Sequence, residues 1–122
     1  MAVIRVFGIP NCDTVKKARA WLDAQGLAHQ FVDFRREPPE AAMVARWCAR
    51  LGPEALLNRR GTTWRRLDPA TQAGAGTEAG VVALLVAHPS AIRRPVVEAD
   101  GELWAGFDPD DWARRLGAPA RP

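Results

Sequence analysis

Along the first 34 residues the apolar positions change their period twice. Val3, Ile4, Val6 and Phe7 make an apolar run broken only by Arg5, which predicts a buried strand, and Gly8 to Asn11 predict a turn. From Asp13 the spacing becomes helical. Val15, Ala18, Trp21 and Leu22 fall on one face of a helix expected to reach Gln25 and to stop at Gly26. His29 to Phe34 alternates enough to predict a second strand, so the chain opens with a βαβ unit.

Arg35 to Pro39 is a break, after which Met43, Val44, Trp47, Cys48 and Leu51 mark a helix from about Glu40 to Leu51, ended by Gly52-Pro53. Pro53 to Leu57 predicts a short helical turn. Asn58 to Leu67 is polar, basic and broken by glycine, and predicts a loop or irregular turn; Asp68 to Gly76 is small and polar, and predicts a mobile stretch. Thr77 can cap a helix carrying Val81, Val82, Leu84, Leu85 and Val86, which ends before His88-Pro89. Val96 to Ala99 and Glu102 to Ala105 predict two strands around Asp100-Gly101, a type I′ hairpin signal. Asp108-Pro109 opens a last helix with Trp112 and Leu116, and Gly117 with the prolines after it predicts a frayed tail. The order βαβ, helical block, ββα is α/β: the mixed sheet of a thioredoxin-like fold with an inserted helical block at about 36–90. One domain over residues 1–122 is expected.

Composition narrows the classes. With 122 residues, 48% of them hydrophobic, the chain can bury a core, yet no apolar run is long enough to span a membrane. No leader is visible at Met1 to Arg5, and two cysteines in unlike contexts do not make a disulfide framework, so a cytoplasmic protein is expected. The net charge of +3 comes from basic residues scattered in pairs. Such pairs are usually solvated, so the expected partner is a small anionic ligand rather than nucleic acid. His29, His88 and the distant cysteines lack metal-ligand spacing, and no metal is expected.

The chemistry gathers at Cys12, where a strand hands over to the first turn of a helix. Unpaired backbone N–H groups and the positive end of a helix dipole favour a thiolate there, and the thiolate is the nucleophile. Position 15 is Val15, so no Cys-x-x-Cys pair exists in this loop, and an outside thiol is needed to resolve a mixed disulfide. Asn11 and Thr14 either cap the helix or donate to a bound anion, and Lys16, one turn on, adds positive field. Cys48 lies on the apolar face of its helix and is expected to be structural, with a resolving role as the lesser alternative. Arg93 is expected to face solvent, and Trp64, in the basic loop, to pack or to shape a ligand site.

Three segments, Phe7 to Ala18, Leu56 to Leu67 and Ile92 to Val96, together resemble the arsenate reductase/Spx family of thioredoxin-fold proteins, in particular its YffB-type branch. The resemblance implies that Cys12 is the redox nucleophile, that Arg94 points at it, that the Arg94–Pro95 bond is cis, and that Arg60 belongs to a second basic segment. An arginine beside a thiolate would hold an oxyanion or carboxylate with its planar fork of donors. Arsenate reductases proper place a further arginine after the terminal hairpin, where this chain has Trp104-Ala105-Gly106-Phe107, and that departure argues against arsenate itself. The function implied is a thiol-dependent reductase with no bound cofactor, reduced by external glutathione or a glutaredoxin. The alternative is an Spx-like regulator that binds RNA polymerase or another protein.

Overall fold

The computed structural model describes residues 3–117, and the tail expected at 118–122 lies outside them, as do Met1 and Ala2 of the stretch read for a leader. The chain divides into two compact units, one formed by residues 1–33 with 94–122 and the other by Phe34–Arg93.

The first unit is a four-stranded mixed sheet with two helices. β1 (Ile4–Gly8) is joined through α1 (Asp13–Ala24) to β2 (His29–Asp33) in parallel register, Ile4 opposite His29 and Gly8 opposite Asp33. β3 (Val96–Ala99) pairs antiparallel with β1, and β4 (Glu102–Ala105) antiparallel with β3, giving the order β2-β1-β3-β4. Asp100 and Gly101 take φ of +50° and +81°, the left-handed pair that a I′ hairpin requires. The unit has the βαβ and ββα halves of a thioredoxin-like fold. Side chains alternate across a strand, so Ile4, Val6, Val97, Ala99 and Trp104 share one face. Against it pack Ala18, Trp21 and Leu22 of α1, and Trp112 of α7 (Pro109–Leu116). Trp112 is fully buried and meets Trp21, Trp104 and Phe107 edge-on, with ring centroids 6.0, 5.9 and 4.9 Å away. Each such pair adds about 0.5–1.5 kcal/mol beyond area burial. Asp108 caps α7, accepting from the N–H groups of Asp110 and Asp111.

The second unit is built of helices and single turns: α2 (Ala41–Leu51), α3 (Pro53–Leu56), α4 (Thr62–Arg66), α5 (Pro69–Ala73), a 3-10 turn over Gly74–Gly76, α6 (Glu78–Ala87) and a second 3-10 turn over Pro89–Ala91. Val44, Trp47, Leu56, Leu57, Val81, Leu84, Leu85 and Ile92 are buried, and an isolated antiparallel bridge joins Leu57 to Ile92. Thr77 caps α6, its Oγ1 accepting from the Gly80 N–H at 3.0 Å. A Cβ on Gly80 would fall onto the Gly74 carbonyl oxygen, so the start of α6 fits against that turn only as glycine.

Three expectations need correction here. Asn58 to Leu67 is not a loop or irregular turn throughout, because Thr62–Arg66 closes a regular helical turn within it. The stretch from Asp68 to Gly76 is ordered as α5 and a 3-10 turn: Asp68 caps Thr71 N–H at 2.7 Å, Pro69 pre-sets the first helical φ, and Gln72 Nε2 donates to the Trp64 carbonyl at 2.8 Å. Arg93 is half-buried rather than solvated, its Nε donating to the Ala55 carbonyl at 2.9 Å and its backbone N–H to that of Leu56 at 2.7 Å.

Candidate functional site

β1 and β3 run in opposite directions, with Phe7 opposite Val96, so the end of one lies beside the start of the other. The turn that follows β1 and the residues that precede β3 therefore come to the same edge of the sheet. The turn carries Asn11 and Cys12; the approach to β3 carries Arg94 and Pro95. Gly8 marks the closest approach. A Cβ there would lie 2.9 Å from Val15 Cγ2, so glycine lets the start of α1 close on the strand end, while Arg94 Cβ would stand 3.9 Å away, in ordinary contact.

Cys12 occupies the N-cap position of α1 with extended backbone (φ −103°, ψ 126°), and its carbonyl accepts from the Lys16 N–H at 2.9 Å. The Cys12 side chain makes no capping hydrogen bond to the first turn of this helix. The cysteine is half-buried, and Asn11, Thr14 and Lys16 around it are exposed.

Arg94 is half-buried, and its Nη1 is buried with no hydrogen-bond partner. A buried donor left unmade costs about 1–3 kcal/mol, and more for a charged group. The Arg94–Pro95 peptide is cis, as the resemblance implied, and Pro95 is buried. Two supports were not legible in the sequence. The Gly106 N–H donates to the Pro95 carbonyl at 2.9 Å, and Trp112 Nε1 donates to the Gly106 carbonyl at 3.1 Å. The only sequence signal for them is a glycine directly after a strand, Gly106, whose φ is +88°.

Arg60 belongs to the second unit, where it is exposed and its backbone N–H donates to Asn58 Oδ1 at 3.1 Å. Its neighbour Arg59 holds Glu54 through two hydrogen bonds of 3.0 Å and lies 4.7 Å above the Trp64 ring, so Trp64 is a stacking platform for an arginine. Cys48 is fully buried in that unit, and burial, with the Glu78 charge second, pushes its thiol up. Both responses keep it protonated and unreactive. A cavity of about 370 Å³ lies at the far end of β1 among Ile4, Leu27, Ala99, Asp100, Glu102 and Leu116, and includes none of the site residues. Among the described residues no three His, Cys, Asp or Glu side chains gather as a metal site, and no helix is long and apolar enough to cross a membrane.

The chain is similar to known proteins along most of its length. An uncharacterised protein of Haemophilus influenzae is 33% identical over 110 residues, 90% of this chain and 96% of that one. The global transcriptional regulator Spx of Streptococcus mutans is 24% identical over 89% of this chain and 80% of its own. Among solved structures, a YffB protein matches at 43% identity and a TM-score of 0.89, covering 93% of this chain and 98% of that one. An arsenate reductase (ArsC) related protein from Brucella melitensis matches at 38% identity and 0.74, covering 93% and 94%. The model of the ArsC family matches residues 7–115, and the chain belongs to that family.

Proposed function

We propose that the chain is a thiol-dependent reductase that works through the single cysteine Cys12. The thiolate attacks the glutathione sulfur of a mixed disulfide. A Cys12–glutathione disulfide forms, and the other sulfur leaves as a thiolate that takes a proton from water. A second glutathione thiolate then attacks the glutathione sulfur on Cys12, releasing oxidised glutathione and restoring the Cys12 thiolate. A glutaredoxin can serve as reductant in place of the second glutathione. Arg94 holds a carboxylate of glutathione and offsets the negative charge that develops as sulfur leaves. Asn11, Thr14 and the N–H groups at the start of α1 supply further donors, and Lys16 adds positive field. The reaction belongs in the cytoplasm, where the glutathione pool is reduced.

The observation that carries this reading is the buried, unpartnered Nη1 of Arg94 at the sheet edge shared with the Cys12 turn. An anion is the partner that such a donor lacks. Mass spectrometry after exposure to oxidised glutathione tests it. The native protein is expected to gain one glutathionyl group, Cys12→Ser none, and reduced glutathione to reverse the modification. Failure of Cys12 to form the adduct would overturn the reading.

A second reading is favoured by the likeness to Spx regulators. On that reading the chain docks on RNA polymerase and Cys12 plays no catalytic part. Capture of the polymerase α subunit by a protein whose Cys12 forms no glutathione adduct would establish it.

A further inference from the structure

Three indoles, Trp21, Trp104 and Trp112, pack around one another in the first unit, and they treat their N–H groups differently. Those of Trp21 and Trp104 are buried with no partner. Only Trp112 donates to the backbone, and it donates to Gly106. Edge-on packing alone therefore does not require an indole N–H to be bonded. Gly106 is fastened on its other side as well, through its N–H to the Pro95 carbonyl. Proline has no N–H, so that carbonyl is the only backbone group by which residue 95 can be hydrogen-bonded. Arg94 is the residue before it. The φ of +88° at Gly106, a value that strains any side chain, sets the angle between the two peptide units that flank its Cα, the N–H of one meeting Pro95 and the carbonyl of the next meeting Trp112.

We propose that Trp112, acting through Gly106 and Pro95, is a positioning residue that fixes the aim of the Arg94 guanidinium. The fully buried indole cannot swing, so the last helix sets the height of Gly106 through its carbonyl, and Gly106, through its N–H, sets the backbone from which Arg94 departs. This inference rests on the reading of Arg94 as the cation beside the Cys12 sulfur. A displacement near 1 Å at a charged group is enough to weaken its effect on a reacting atom.

The test compares the rates at which iodoacetate, an anion, and iodoacetamide, its neutral analogue, alkylate Cys12 in the full chain, followed by peptide mass spectrometry. The ratio of the two rates reports positive charge near the sulfur. Arg94→Ala should lower the ratio roughly 5- to 10-fold. Trp112→Phe, which keeps an aromatic ring and removes the N–H, should lower it at least about 3-fold while the iodoacetamide rate stays within about 2-fold, in line with a moved rather than deleted charge. Trp21→Phe, which loosens the same cluster without touching these bonds, should leave the ratio unchanged. Gly106→Ala is the second variant if Trp112→Phe does not fold, and should also lower the ratio. A wild-type ratio in Trp112→Phe, with Arg94→Ala lowered, overturns the positioning role and leaves the Arg94 reading intact. A wild-type ratio in Arg94→Ala overturns both.

Discussion

The two units carry opposite charge and use it differently. Phe34–Arg93 holds nine basic residues against five acidic, a net +4, while the remainder holds eight against nine, a net −1. The whole basic excess of the chain thus belongs to the helical unit, where Arg59 and Arg93 are held by Glu54 and the Ala55 carbonyl. The arginine with an idle buried donor, Arg94, stands in the unit with the slight acidic excess. Net charge is therefore a poor guide to where an unpartnered buried cation stands. What the proposed function rests on is a donor that folding has taken from water and left without a partner.

The two cysteines sharpen the same contrast, and they give the largest expected effect. Cys12→Ser should abolish turnover with a glutathione mixed disulfide, a loss of at least about 10³-fold. Cys48→Ala should leave turnover near wild type and cost on the order of 1 kcal/mol of stability, measured by denaturant titration. In the native protein only Cys12 should react with iodoacetamide, Cys48 becoming reactive on unfolding. Native labelling of Cys48 at a comparable rate would break the contrast.

The glycines at close approaches come next. Gly8→Ala places a methyl group against Val15 and should destabilise the chain by about 1–3 kcal/mol. Gly76→Ala, where a Cβ meets nothing within 4 Å, should stay within about 0.5 kcal/mol of wild type. Equal unfolding midpoints for the two variants would contradict the packing described at the end of β1.

The smallest effect lies at Glu54, whose carboxyl is held below the usual carboxylate range by its hydrogen bonds to Arg59 and then by the charge of that arginine. A carboxyl depressed in the folded state stabilises it above the unfolded pKa, and that support is lost as pH falls through the folded value. Native protein should therefore lose a little more stability on acidification than Glu54→Gln. Thermal melts from neutral to acid pH would show it as two curves that converge at low pH.

The β-rich unit was largely legible in the chain because its elements are long enough to show a period and its ends carry clear signals, Gly26, Asp100-Gly101 and Asp108-Pro109. From Asn58 to Gly76 the elements are single turns, too short for any period to appear. There Asp68-Pro69 is the same cap-and-proline pair as Asp108-Pro109, but without an apolar stripe behind it. At the site, the place of Cys12 could be read from the strand-to-helix switch. The idle Nη1 of Arg94 and the bonds from Trp112 to Gly106 to Pro95 could not, because they depend on distances between residues far apart in the chain.

Arg93 and Arg94 are successive residues with opposite fates, one tied to the Ala55 and Leu56 carbonyls and one holding a vacant donor. The peptide between them works as a ruler. Inserting or deleting one residue there would break the single-residue step by which the chain passes from an anchored guanidinium to one with a vacant donor. Changes of chain length that a surface turn such as Gly74–Gly76 can absorb are thus closed to this joint.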